Sequence, residues 1–99
     1  MELTDTIKRG ILENCEGFYM LYQPQMDRNG RVIGVESLLR WKNEKYGVVS
    51  PGSFIPWLEK ESCFYVLGLW ILRTTVMETR RFLKEHPDFK VSVNVSWRQ

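Results

Sequence analysis

A chain of 99 residues, 43% hydrophobic and 26% charged, has the composition of one ordinary folded domain and excludes a disordered or low-complexity protein. Fourteen basic and twelve acidic residues leave a net charge of +2 with the signs interspersed, so there is no electrostatic footprint for a DNA or RNA polymer. The longest apolar run, Cys63 to Leu72, falls well short of the ~20 residues that span a bilayer.

Met1-Glu2-Leu3-Thr4-Asp5 has no basic stretch followed by an apolar core, so no secretion signal is expected and a cytoplasmic location is. Ile7, Ile11, Leu12 and Cys15 recur at helical spacing. They predict a helix over 4–15, capped by Thr4 or Asp5 and ended by Gly17. A strand follows over 18–23. Asp27-Arg28-Asn29-Gly30 supplies turn chemistry, with Asn-Gly as the strong hairpin signal. A second strand over 31–41 is therefore antiparallel to the first, because so short a link joins only antiparallel neighbours. Ser50-Pro51 opens a short helix to about Glu61, with serine as cap and proline where no helical hydrogen bond is lost.

A longer helix is expected from about Phe64 to Glu85, with Tyr65, Leu69, Leu72, Val76 and Leu83 on one stripe. Its first half is apolar nearly all round, which argues for burial from more than one side. His86-Pro87 stops it, and a last strand occupies 90–96. The order α-β-β-α-α-β is an α/β chain in which an initial antiparallel hairpin precedes a βαβ crossover long enough to be parallel. Cys15 and Cys63 sit among apolar residues without C-x-x-C spacing. They read as buried free thiols, with a disulfide as the alternative, and no zinc-ligand spacing exists.

Side chains alternate across a strand, so parity sorts the candidate residues. On the second strand Ile33, Val35, Leu39 and Trp41 share one face, and Glu36, Leu38 and Arg40 share the other. On the last, Val91, Val93 and Val95 oppose Ser92, Asn94 and Ser96. The valines should meet the helices. If the two strands are parallel neighbours, a carboxylate, an amide, a guanidinium and hydroxyls line the opposite face. That is unusual, because parallel strands are normally apolar on both faces. Parity alone leaves two readings open. Either the face is simply solvated or Glu36 and Arg40 pair with each other, or it binds a hard cation or a phosphate, which suit these oxygen ligands and this planar fork.

Five stretches bear on the choice: Phe18–Pro24 as FYMLYQP, Glu36–Trp41 as ESLLRW, Gly47–Pro51 as GVVSP, Phe54–Glu59 as FIPWLE and Val93–Ser96 as VNVS. In this order and register the chain resembles the N-terminal part of the EAL domain, the bacterial family that hydrolyses cyclic di-GMP. The resemblance implies a TIM-type barrel whose first strand is antiparallel. It implies Glu36 and Asn94 as ligands of a catalytic divalent metal, Mg2+ or Mn2+. It also implies Arg40 as a phosphate contact and Gln23 and Leu38 as walls of the ligand site, with Glu59 structural. Ser37, Glu44 and Leu58 depart from the family pattern, where alanine, proline and alanine are usual, and none of them is a proposed ligand.

A complete barrel of this kind needs ~250 residues, so the chain is expected to be about two-fifths of one, cut after Asn94. The further metal-binding carboxylates and the water-activating lysine that the resemblance implies lie downstream. The expectation is a piece of a phosphodiesterase that linearises cyclic di-GMP to pGpG. Alone it should be inactive, hold no metal stably and self-associate through an exposed strand edge or the apolar helix face. The alternative is a catalytically silent EAL module that binds the dinucleotide or a protein. Trp57, Trp70 and Tyr65 read as packing residues, His86 as a surface helix end, and Arg73, Arg80 and Arg81 as a solvated face. Trp41 and Trp97, near strand ends, stay open to ligand contact.

Overall fold

The hairpin forms because Asp27 satisfies its own loop. The Asp27 carboxylate accepts the backbone N–H groups of Asn29 at 2.8 Å and Arg31 at 3.0 Å, and its own N–H donates to Arg31 O at 2.9 Å. Of the Asn29-Gly30 pair, Gly30 takes the left-handed conformation, at φ +78°. The pairing shifts by one residue at Gln25/Met26, as expected of a longer loop with a bulge.

The computed structural model describes residues 2–93. Asn94, Val95, Ser96 and Trp97 lie outside the described residues. The elements are α1 (Glu2–Leu12), β1 (Phe18–Met26), β2 (Val32–Asn43), β3 (Gly47–Val49), a 3-10 turn at Pro51–Ser53, α2 (Ile55–Leu58), α3 (Cys63–Glu85) and β4 (Lys90–Val93). β2 is the hub of the sheet. β1 runs antiparallel along one edge from Phe18↔Trp41 to Met26↔Val32. The other edge is shared, with β4 parallel over Gly34–Ser37 and β3 antiparallel over Trp41–Asn43. Both expected connections, the antiparallel hairpin and the parallel crossover, are present.

β3 is an addition to the expected elements. It returns through a tight turn in which Asn43 Oδ1 accepts the Lys45 N–H at 2.8 Å and the Tyr46 N–H at 3.3 Å. A three-residue strand is too short for alternation to register in the sequence. α1 also differs. It starts at Glu2, so Thr4 and Asp5 lie within it rather than capping it, and it ends at Leu12 rather than near Gly17. The chain leaves through two consecutive left-handed residues, Asn14 and Cys15, which the burial of Cys15 holds in place. The helix expected over 51–61 is broken into the 3-10 turn and one turn of α2. Pro56 has no N–H to give Gly52 O, so a continuous helix cannot run through it. Ser50 precedes Pro51 as expected but makes no side-chain cap bond.

The helices cover one face of the sheet. Ile7 and Ile11 of α1, Phe18 and Met20 of β1, Leu39 and Trp41 of β2, Phe54, Ile55 and Leu58, and Cys63, Leu67 and Ile71 of α3 make a single core. Phe18 stands edge-on to Phe54 at 6.1 Å, and Trp41 meets Phe54 at 6.4 Å. Trp41 is thus a core residue, 1% exposed. Both cysteines are free and buried.

The stripe expected to bury α3 is its outer face. Cys63, Leu67, Ile71, Thr75 and Thr79 point inward, whereas Tyr65, Leu69, Leu72 and Val76 are exposed, Tyr65 at 72%. In a helix apolar nearly all round, several stripes share the helical period, and only the packing against β1 and α1 selects one. His86, Arg73, Arg80 and Arg81 are exposed, as expected.

β4 approaches β2 so closely that a Cβ on Gly34 would overlap the carbonyl oxygen of Lys90. Gly34→Ala should therefore release β4 while leaving the β1–β2 hairpin paired. Amide exchange by NMR is expected to show protection lost at Lys90–Val93 and retained at Met20–Tyr22.

Candidate functional site

With the helices on one face, alternation sends the remaining side chains of the sheet to the other. Gln23 of β1 pairs in register with Glu36 of β2, and Glu36 pairs with Ser92 of β4. Residues opposite one another share a face, so an amide, a carboxylate and a hydroxyl stand on one rung across three strands. Leu21 and Leu38 form the second rung beyond it along β2, and Tyr19 and Arg40 the fourth. Gly34 and Lys90 lie two residues the other way. At ~3.3 Å per residue, Glu36 and Arg40 are ~13 Å apart along the strand, which leaves room between them for a ligand with more than one polar group.

Four of the five sequence-derived site residues, Gln23, Glu36, Leu38 and Arg40, thus share one face. The fifth, Asn94, lies outside the described residues. Arg40 is half-buried and donates Nη1 to Leu39 O at 2.7 Å. Together with Leu38 it walls an open concavity of about 590 Å³ that Val48, Ser50, Pro51 and Gly52 also line. These last four are additions to the expected site. The punctuation at Ser50-Pro51 is legible in the sequence, but its place beside Arg40 depends on the return of β3. A larger cavity, about 880 Å³, lies between α1 and the β2–β3 turn and is lined by Arg9, Glu13, Glu16, Lys42 and Lys45 among others. It contains none of the ligand candidates, so its volume does not make it the site.

The oxygen donors suit a hard divalent cation. Among the described residues, however, no three His, Cys, Asp or Glu side chains stand together as a metal site. What the described face supplies is one carboxylate, Glu36, with an amide and a hydroxyl as its rung neighbours.

The family model of the EAL domain matches residues 4–99. The chain belongs to the EAL domain family. Cyclic di-GMP phosphodiesterase PA2567 of Pseudomonas aeruginosa is 38% identical over 82 residues, covering 82% of this chain and 14% of that protein. Cyclic di-GMP phosphodiesterase PdeR of Escherichia coli is 32% identical over 95 residues, covering 96% of this chain and 14% of that protein. The solved structure of PaMucR phosphodiesterase in complex with c-di-GMP superimposes with a TM-score of 0.81 at 34% identity, covering 95% of this chain and 38% of that one. The chain therefore spans only 14% of the length of these curated relatives. It has the α/β fold of the corresponding part of an EAL domain.

Thiol chemistry is not available to this face. Burial, with the Coulombic effect of Cys63 added, raises the Cys15 thiol from an ordinary 9.0 to about 11. Burial also raises Cys63, against the opposing pull of Lys8. Both thiols stay protonated at neutral pH and lie in the core, the inert kind of cysteine. A thiol whose pKa is raised on folding stabilises the fold fully below its unfolded value, and that contribution is lost as pH climbs through the folded value. Denaturant midpoints should accordingly fall between about pH 9 and about pH 11. In Cys15→Ala the fall should be smaller, measured against that variant's own midpoint at neutral pH.

Proposed function

We propose that residues 1–99 are the N-terminal part of an EAL domain, about two-fifths of a TIM-type barrel. In this reading the complete form is a cytoplasmic, Mg2+- or Mn2+-dependent phosphodiesterase that hydrolyses cyclic di-GMP to pGpG in bacterial second-messenger signalling. The observation that carries this is the single open face on which Gln23, Glu36, Leu38 and Arg40 stand in register. The names of the relatives support the substrate and the reaction. The share of the solved EAL phosphodiesterase that this chain covers, 38%, supports the fraction of the barrel. Among the described residues no helix is long and apolar enough to cross a membrane, which is compatible with a cytoplasmic domain.

The residues then divide the work. Glu36 and Asn94 supply oxygen ligands to a divalent metal, the group that the family resemblance implies and the oxygen-rich donor set fits. Such an ion, when bound, neutralises phosphate charge and activates water for attack on phosphorus. Arg40 offers a planar fork to a phosphate oxygen. Leu38 gives the ligand an apolar wall, and Gln23 adds an amide beside Glu36 that fixes orientation. The open face of the sheet corresponds to the barrel interior, and the exposed stripe of α3 to a surface that further helices cover.

Because the described face lacks three clustered acids, the 99-residue chain alone should hold no metal stably and show no turnover of cyclic di-GMP with Mg2+ or Mn2+. Measurable pGpG formation by the purified chain would overturn that. In a longer chain that completes the domain, Glu36→Gln should lower kcat/KM by ~10²-fold or more, the scale on which removal of one transition-state electrostatic contact is felt. Binding of cyclic di-GMP without turnover in that longer chain would favour the silent module instead.

Tyr65, Leu69, Leu72 and Val76 on α3 and the outer edge of β1 would pair copies of the isolated chain. Sedimentation velocity over a concentration series should show a mass that rises with concentration; a constant monomer mass would count against self-association.

A further inference from the structure

α3 changes character along its buried stripe. Cys63, Leu67 and Ile71 are followed by Thr75 and Thr79, so the helix–sheet contact turns from apolar to polar midway. At that level Ser37 and Thr75 are 1% and 3% exposed, and their hydroxyl oxygens are 2.9 Å apart. Thr79 donates its own hydroxyl to Thr75 O at 2.7 Å. Tyr22 of β1 donates its phenolic proton to Glu78 of the same helix. Burial, then the hydrogen bond from Tyr22 to Glu78, pushes the Tyr22 hydroxyl well above its ordinary pKa, so it stays a donor. Tyr22 and Ser37 are register partners, and the next rung is Gln23↔Glu36.

We propose that this cluster, Tyr22–Glu78 and Ser37–Thr75, is the positioning device for the Gln23–Glu36 rung on the reverse side of the sheet. The proposal rests on the reading of that rung as part of the ligand site. An apolar contact between helix and sheet tolerates sliding, because dispersion and burial are not directional. A hydrogen-bonded pair at one offset does not, because sliding would leave the buried Ser37 and Thr75 hydroxyls without each other. A slip of one residue in β2 would turn Glu36 to the helix side and Ser37 to the ligand side. The two ties fix β1 and β2 to the same turn of α3, one residue from the pair whose direction matters. They are positioning residues: neither touches the ligand face.

The test is amide hydrogen exchange by NMR on the full 99-residue chain, with Thr75→Val, Tyr22→Phe and Thr75→Ser. Thr75→Val keeps the shape of the side chain and removes the hydroxyl. It should speed exchange at Gln23, Glu36 and Ser37 by at least ~10-fold relative to Leu39, Arg40 and Trp41 of the same strand, the scale of one lost buried hydrogen bond. Thr75→Ser should restore the original rates. A uniform acceleration along β1 and β2 would mark a general loss of stability and overturn the proposal, as would unchanged rates or a failure of serine to rescue. Should Thr75→Val not fold, Tyr22→Phe is read in the same way, with acceleration expected first at Gln23. The readout involves no ligand, so failure of the ligand reading, seen as undiminished turnover by Glu36→Gln in the longer chain, is a separate result.

Discussion

β2 is hydrogen-bonded along both of its edges, and that constraint decides the direction of each of its side chains. β1 holds it from Val32 to Trp41, β4 from Gly34 to Ser37 and β3 from Trp41 to Asn43. A strand clamped on both sides cannot rotate about its axis, so the alternation of its residues becomes an alternation of environments. Ser37, Leu39 and Trp41 go into the helix layer, and Glu36, Leu38 and Arg40 go to the open face. The core and the candidate site are thus two sides of one object, and a change that shifted one would shift the other.

The helix side is built unevenly. Near α1 and α2 it is dense and apolar, with Phe18, Trp41, Phe54 and Leu67 interlocked around a small volume. Toward β4 it becomes a hydrogen-bonded seam of Tyr22, Ser37, Thr75 and Glu78. Packing of the first kind supplies most of the stabilisation in a chain this short. The second kind contributes little net energy but specifies register. It lies one residue from the Gln23–Glu36 rung of the candidate site.

Much of the candidate site is legible in the amino-acid sequence. The polar side chains at 36 and 40, each two positions from an apolar one at 38, mark a strand face that a parallel sheet would not ordinarily leave polar, and the stretches around them resemble one family. Gln23 is less obvious, since residues 18–23 carry no polar alternation; its role comes from the resemblance, and the register partner Glu36 shows its place. Val48, Ser50, Pro51 and Gly52 escape sequence reasoning at the cavity wall because three residues of β3 leave no periodic trace. The expected buried stripe on α3 is incorrect for a related reason: Tyr65, Leu69, Leu72 and Val76 satisfy the helical period as well as Cys63, Leu67 and Ile71 do.

By itself the sequence determined the quantities that depend on neighbours a few residues apart: the Asp27–Gly30 turn, the parity of β2, the helix-stopping pair His86-Pro87 and the sharing of one face by Glu36, Leu38 and Arg40. These follow from backbone stereochemistry and from the two-residue repeat of a strand, which act between near neighbours in the chain. The tertiary structure alone decided which side of α3 is covered, how β3 brings Ser50–Gly52 to Arg40, and that Ser37 and Tyr22 find partners on α3. Each of those outcomes compares burial energies between segments as far apart as Tyr22 and Glu78, and such a comparison exists only once the chain has folded back on itself.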